Sequence, residues 1–202
     1  MKGVSRVVAG LAVALAVALL LPGCFSNDDG GAVGSGTGPA TASLGSRVPP
    51  AVRRRGTLRV GMVAGRPPFA VLDPGSSTAK GADVDLVTQV ASSLGLKLEV
   101  TNEADATAGA ADLSGDKVDV VMAGTLDTPE ARNGVDLIDY VAADQGSAPV
   151  AMAVPAAQPG LKVALMAALK AMVADRRYEA ILSRWNLAPR ALPVITVNGT
   201  PP

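Results

Sequence analysis

An alternation of strand-like and helix-like segments between Thr57 and Ala123 constrains the fold of this chain more than any other feature. Thr57 to Val63 has the apolar and β-branched composition of a buried strand, and a turn at Pro67-Pro68-Phe69 follows it. Ala82 to Leu94 then changes to a helical period, with Gly95 at the usual C-terminal position. This opening predicts a strand that leads through a rigid loop into a helix.

The next segments repeat the alternation. Asp83 is predicted to cap the start of the first helix. Leu96 to Val100 alternates apolar and charged residues as a second strand, Ala106 to Leu113 is predicted as a short helix, and Val118 to Ala123 as a third strand. The order strand, helix, strand, helix, strand predicts an α/β fold with a parallel sheet and flanking helices.

The loop after the third strand is a candidate ligand site. Thr128 is predicted to cap a helix that begins at Pro129, so the loop would present backbone N–H groups at a helix start, with Arg132 nearby. Ligands of open α/β sheets bind beyond the carboxyl ends of the strands, where a helix start with an arginine suits a carboxylate. From these residues alone, simple helix capping explains the pattern equally well.

Composition argues against several classes of function. Lys+Arg and Asp+Glu both number 18, so the chain lacks the net positive charge typical of nucleic-acid binding. It contains no His, and Cys24 is its single Cys. We therefore predict no metal site, no cofactor, no catalytic residues and no enzymatic activity.

The first residues have the pattern of an export signal. Lys2 and Arg6 precede an apolar run from Val7 to Leu21, which is too short for a comfortable membrane span. Leu21-Pro22-Gly23-Cys24 resembles the lipobox of bacterial lipoproteins, which implies cleavage before Cys24 and lipidation of that residue. The alternative is a plain secretory leader followed by an isolated thiol.

After the predicted signal peptide, residues 1–23, we divide the chain into three parts. Residues 24–50 are rich in Gly, Ser, Thr, Ala and Pro and are predicted to be a flexible tether. Residues 51–189 form the predicted domain, and residues 190–202 are predicted to be a loosely ordered tail. Arg53, Arg54 and Arg55 mark the start of the domain, either as a solvated boundary or as a contact to anionic lipid.

Together these segments resemble the bacterial family 3 extracellular solute-binding proteins, the polar amino-acid receptors of ABC importers. The matching segments occur in the family's order and are Gly56-Thr57-Leu58-Arg59-Val60-Gly61, Pro67-Pro68-Phe69, Gly81-Ala82-Asp83-Val84-Asp85-Leu86, Gly115-Asp116-Lys117-Val118-Asp119-Val120, Ala123-Gly124 with Thr128-Pro129-Glu130, and Val135-Asp136. Leu165 to Leu187 is similar to the family's closing helical hairpin. The resemblance implies the first lobe of a type II periplasmic-binding-protein fold.

The family's second lobe is largely missing from this pattern. It is normally inserted between the segments equivalent to Val135 to Tyr140 and Val150 to Val154, and a small lobe needs on the order of 100 residues. Val141 to Pro149 is far too short for that. Apolar surface that the lost lobe once covered would favour a homodimer.

The resemblance implies binding residues, and the sequence departs from them. Arg66 replaces the aromatic residue that usually precedes the Pro-Phe turn, and Ala106 occupies the position of another aromatic. The family's Thr is Leu126 here, and its Arg is Ala131, with Arg132 one residue later. The resemblance therefore implies Arg66, Gly124, Thr125 and Arg132 as the ligand-binding residues, for a small anionic or amino-acid-like ligand.

Two functions from different classes follow. The first is a substrate-binding lipoprotein of an ABC-type amino-acid uptake system, anchored to the outer face of the cell membrane through Cys24, with weak or altered ligand binding and an ABC permease as partner. The second is a non-transport surface lipoprotein that uses the degenerate lobe as an interaction or scaffold module. Ligand-dependent stabilisation separates them, because only the first predicts it.

Overall fold

The computed structural model describes residues 44–72 and 78–201, which belong to one unit, Ser35–Pro202. The predicted signal peptide, Cys24 and most of the predicted tether lie outside the described residues. The elements in chain order are α1 (Pro50–Arg55), β1 (Thr57–Val63), β2 (Val71–Leu72), β3 (Ala79–Lys80), α2 (Ala82–Ser93), β4 (Lys97–Glu103), α3 (Ala106–Ser114), β5 (Val120–Leu126), a 3-10 helix (Glu130–Arg132), β6 (Val135–Val141), β7 (Val150–Pro155), α4 (Pro159–Ala174), α5 (Arg177–Arg184), a second 3-10 helix (Ala188–Arg190) and β8 (Thr196–Val197).

Six strands form the main sheet in the order β4-β1-β5-β7-β6-β8. β1 pairs in parallel with β4 along its whole length and with β5 at Val60, Gly61 and Met62. β7 is antiparallel to both β5 and β6. We call the ends at which β1, β4 and β5 begin the amino edge and the ends at which they finish the carboxyl edge. The predicted α/β fold with a parallel sheet and flanking helices is confirmed.

The two faces of the sheet have cores of different size. The larger core joins α2, α4 and α5 to one face, and its fully buried members include Leu58, Leu86 and Leu165. The smaller core packs Leu113 of α3 and Val121 of β5 on the other face. Because Gly109 of α3 approaches Val121 closely, α3 lies directly on the sheet. The central strands β1 and β5 are thus covered on both faces, whereas most of the edge strand β4 is exposed.

The structure corrects both predicted limits of the folded domain. Val48, assigned to the tether, is 2% exposed and belongs to the larger core, so ordered packing begins before Ala51. The tail from 190 to 202 was expected to be loosely ordered, but Ile195 is buried and β8 pairs with β6. The apolar residues of the tail are too few to form a sequence pattern, although Ile195 lies in the larger core and Ala191 and Val197 pack against it.

A short loop, residues 142–149, stands where the second lobe would be inserted, and that lobe is absent. The C-terminal helices hold the start of this loop. Ala142 N donates to Arg190 O at 2.8 Å, and the Arg190 guanidinium donates twice to Ala142 O, at 2.9 and 2.7 Å. Tyr178 OH donates to Tyr140 O at 2.8 Å. The helical hairpin therefore packs back across the sheet without a second lobe.

Within the ranges 44–72 and 78–201, no helix has both the length and the apolar character needed to cross a membrane.

Candidate ligand-binding edge

Arg66 and Gly124, two of the predicted ligand residues, meet at the carboxyl edge. Gly124 has φ +57°, and a Cβ added there would lie 2.6 Å from Cζ of Arg66. Only glycine combines this backbone conformation with so close an approach of the guanidinium group. The exposed Arg66 loop is fixed by its own backbone, since Arg66 N donates to Ala70 O at 2.8 Å.

Thr125 lies beside Gly124 in β5, where its backbone is opposite Ala151 of β7. The register between β5 and β7 shifts between Val121 and Thr125, so Gly124 lies within a β-bulge. Bulges bend a strand and redirect the residues near them, and they are common next to binding sites. The bulge accounts for the contact between Gly124 and Arg66.

Asp83 is a buried residue of this edge that the sequence assigned to a different role. It was predicted to cap α2, but Gly81 is at the cap position and Asp83 is fully buried inside the first turn. Asp83 Oδ1 accepts a hydrogen bond from Tyr140 OH at 2.7 Å. Its Oδ2 has no hydrogen-bond partner in the described part of the chain.

The environment of Asp83 favours its neutral form. Burial raises the pKa of Asp83 to about 7, while the hydrogen bond from Tyr140 and the positive charge of Arg66 act in the opposite direction. Burial likewise raises the pKa of Tyr140 well above its ordinary value, and the charge of Asp83 adds to this. Asp83 is therefore poised to change protonation near neutral pH, next to the Arg66–Gly124 contact.

Arg132, the predicted clamp for a ligand carboxylate, is bonded to a carboxylate of the chain itself. Its Nε and Nη2 donate to the two oxygens of Asp127 at 2.7 and 3.0 Å. These hydrogen bonds to Asp127 raise the pKa of Arg132. The geometry is the bidentate one typical of Arg with a carboxylate, so Asp127 holds the two donors that were predicted to bind a ligand carboxylate.

The predicted helix start at Pro129 is also different in the structure. Glu130–Arg132 forms a single 3-10 turn and no α-helix follows it. Thr128 does act as a cap, since Ala131 N donates to its Oγ1 at 3.3 Å. A short turn presents few aligned N–H groups, so the helix-dipole argument for binding an anion does not apply here.

Asp139 forms a second buried carboxylate site near Asp127. Its Oδ2 accepts hydrogen bonds from Thr196 Oγ1 and from Gly199 N, the latter at 3.2 Å, and its Oδ1 has no partner within the described ranges. Burial raises the pKa of Asp139, and the nearby Asp127 carboxylate adds to the effect. The C-terminal tail thus covers the polar groups at the end of β6.

A groove of about 340 Å³ lies on the face that carries α3. Ala106 and Ala131, the residues at two positions where the resemblance implied an aromatic and an arginine, both line it. Leu113, Val121 and Ala153 form its floor. With alanine at both positions the groove is open and mostly apolar, and none of the four predicted ligand residues lines it.

The surface at the missing lobe is polar. Asp144, Gln145 and Ser147 of the loop 142–149 are exposed. The large exposed apolar side chains of the described residues are Val100, Val163 and Val194, none of which belongs to that loop. The apolar surface expected to favour a homodimer is not found there. The same described ranges hold no cluster of three or more Cys, Asp or Glu side chains that could bind a metal ion.

A sheet with α2 and α3 on opposite faces, a bulged β5 and a short loop in place of a second lobe defines the first domain of a periplasmic binding protein. The sequence profile of the bacterial extracellular solute-binding proteins, family 3, matches residues 58–188. The chain belongs to that family, and the resemblance inferred from its motifs is confirmed. Members of the family act outside the cytoplasm, as its description states.

Solved structures agree with this assignment. The arginine-bound form of domain 1 from TmArgBP is 27% identical, with a TM-score of 0.54, and the match covers 59% of this chain and 97% of that one. An ancestral cationic amino acid solute-binding protein, AncCDT-1, is 19% identical with a TM-score of 0.58, covering 65% and 96%. The substrate-binding protein of an amino acid ABC transporter is 17% identical with a TM-score of 0.54, covering 64% and 98%.

A structure of AncCDT-1 is also described as a precursor of cyclohexadienyl dehydratase. These neighbours are thus named as binding proteins, and one of them as the ancestor of an enzyme. A comparison with curated proteins gives no match.

Proposed function

We propose that this chain is the ligand-binding component of an amino-acid ABC uptake system and that it works with the first lobe alone. One observation carries the proposal. The matched domain 1 of TmArgBP is described in an arginine-bound form, so a single lobe of this kind can hold an amino acid. Binding should nevertheless be weak, because half of the ligand surface stays in water when no second lobe closes over it.

Within this proposal, Arg66 and the backbone of Gly124 and Thr125 bind the anionic group of the ligand. Arg66 is the better candidate for the charged contact, because it is exposed and lies against Gly124. Arg132 is the weaker candidate, because its Nε and Nη2 already donate to Asp127 and its charge is already paired there. We assign no catalytic step to this site, and the absence of His from the sequence removes the most common general base.

The proposal also includes the route to the membrane. The chain is exported, cleaved before Cys24 and held at the outer face of the cell membrane by a lipid on that residue. It delivers its ligand to an ABC permease. The support is the lipobox-like segment Leu21-Pro22-Gly23-Cys24 together with the extracellular assignment of the family.

Thermal unfolding of the purified chain, scanned against arginine, other amino acids, small carboxylates and phosphate, tests the binding. A ligand at 100 times its Kd should add about 2.7 kcal/mol, which is a rise of several degrees in Tm. Arg66→Gln should remove this rise, because the charged contact is lost. Arg54→Gln, a matched change at the amino edge, should keep it. A Tm that no tested compound moves contradicts the proposal.

The scaffold function is the second candidate, and the Arg132–Asp127 pair favours it, because the chain already satisfies its own predicted clamp. A scaffold would show one cooperative transition without any ligand effect, and a stable complex with a partner protein or with a second copy. Sedimentation of the chain as a monomer at high concentration would contradict the homodimer.

A further inference from the structure

Basic side chains collect at the amino edge, where the chain enters the folded domain. Arg47, Arg53 and Arg54 are exposed, and Arg53 Nη1 donates to Ser46 O at 3.4 Å, which keeps the segment before α1 next to α1 itself. The exposed Lys97 starts β4, and its N donates to Gly56 O at 2.9 Å. These four cations therefore belong to one end of the sheet.

The acidic side chains of this edge pair mainly with arginines other than these. Asp119 pairs with Arg55 and Arg59, and the exposed Asp116 also pairs with Arg59. Arg47, Arg54 and Lys97 form no ion pair within residues 44–72 and 78–201. The exposed acid Glu99 follows Lys97 two residues later in β4. The amino edge thus keeps an excess of positive charge.

The tether brings this edge to the membrane. Gly45 lies against Leu94 at the end of α2, so the described chain starts at the amino edge. Residues 25–43 connect it to Cys24. If these residues form the flexible tether predicted from their composition, they span about 25 Å on average. A lipid on Cys24 would therefore hold the basic edge within reach of the headgroups.

We propose that the amino edge docks on an anionic lipid surface through Arg47, Arg53, Arg54 and Lys97. This inference rests on the lipid anchor of the proposed function. Each cation near an anionic surface strengthens the attraction about fivefold. The tether alone fixes no orientation, whereas a docked basic edge turns the carboxyl edge, with Arg66 and Gly124, away from the membrane and toward arriving ligand.

The test uses the lipoprotein purified from bacterial membranes and reconstituted into vesicles. A fluorophore is attached at Ala51→Cys on α1 or at Gln145→Cys in the loop 142–149, both exposed positions at opposite edges. Lipids with a quencher on the headgroup report proximity to the membrane. We expect strong quenching at position 51 and weak quenching at position 145 in vesicles that contain phosphatidylglycerol, and similar weak quenching at both positions in phosphatidylcholine alone.

Charge variants separate docking from anchoring. Replacing Arg47, Arg53 and Arg54 by Gln should lower the docking equilibrium about a hundredfold, whereas replacing all three by Lys should preserve it. High salt should act like the Gln variant. If the protein stays with the vesicles but position 51 is no more quenched than position 145, the inference is wrong and the anchor stands. If the purified protein carries no lipid anchor, co-sedimentation with anionic vesicles tests docking alone. Co-sedimentation by the unmodified sequence, but not by the Gln variant, supports the inference. If the unmodified sequence does not co-sediment either, both the docking and the anchor are wrong.

Discussion

Buried carboxylates at the two ends of the parallel strands differ in how completely their oxygens are hydrogen-bonded. At the amino edge, Asp119 accepts a hydrogen bond from Arg59 N at 2.9 Å and pairs with the guanidinium groups of Arg55 and Arg59. At the carboxyl edge, Asp83 and Asp139 are equally buried, yet each has one oxygen without a partner in the described ranges. Full pairing stabilises a fold, whereas unpaired buried groups persist where function requires them.

Replacement of Asp119 should cause the largest loss of stability. Asp119→Ala leaves two arginines and Arg59 N without their shared acceptor, and we expect the free energy of unfolding to fall by about 3 kcal/mol. Chemical denaturation measures the change. Asp116→Ala is the matched control, because Asp116 is 77% exposed and should cost less than about 0.5 kcal/mol. Equal losses in the two variants would mean that Asp119 has no special role.

The pH dependence of stability tests the carboxyl edge. The folded pKa of Asp83, about 7, lies above its ordinary value of 3.8, so the folded state keeps a proton that the unfolded state has lost. Stability should therefore fall as pH rises from about 4 through 7, by about 2 to 3 kcal/mol between pH 5 and pH 8. The raised pKa of Asp139 acts in the same direction.

Asp83→Asn is the variant for this measurement, because it keeps the shape and removes the titration. Its stability should change much less between pH 5 and pH 8, and Asp139 accounts for the remainder. Wild-type protein that gains stability over this range would contradict the assignment of a neutral buried Asp83.

The tail that covers Asp139 should give the smallest of the three effects. Asn198 Oδ1 accepts from Leu137 N at 2.9 Å, and its Nδ2 donates to Asp136 at 3.0 Å. Asn198→Ala removes both bonds and should lower the free energy of unfolding by about 1 to 2 kcal/mol. Thr200→Ala, in the same exposed turn, is the control and should have little effect. Hydrogen exchange at Leu137 should also quicken only in the Asn198 variant.

The parallel half of the sheet was predictable because its signals are local. The segment from Thr57 to Val63 appears as β1 with the predicted limits, and Ala82 to Leu94 appears as α2 within one residue. Hydrophobic period and glycine position determine such elements before any tertiary contact forms. The absent second lobe also followed from the sequence, because the loop 142–149 is too short to hold it.

The candidate site was less predictable, because its partners are distant in sequence. Nothing near Asp83 indicates Tyr140, which contacts it from 57 residues away. Arg132 was chosen for its position after Pro129, and its engagement by Asp127 depends on how β5 ends. Arg66 and Gly124 were named separately from motifs, and the β-bulge that brings them together has no sequence signal apart from the glycine itself.

The pairing of β8 with β6 affects whether the sheet can pair with a strand of another molecule. Without β8, β6 would be the last strand of the sheet, and its backbone at Ile138 and Asp139 would offer a template to another chain. β8 is only two residues long and is followed directly by Asn198 and Gly199, both with positive φ. A strand so short and so sharply terminated gives a neighbour little to extend. The tail therefore covers the edge of β6 and leaves only a short strand exposed to pairing with another chain.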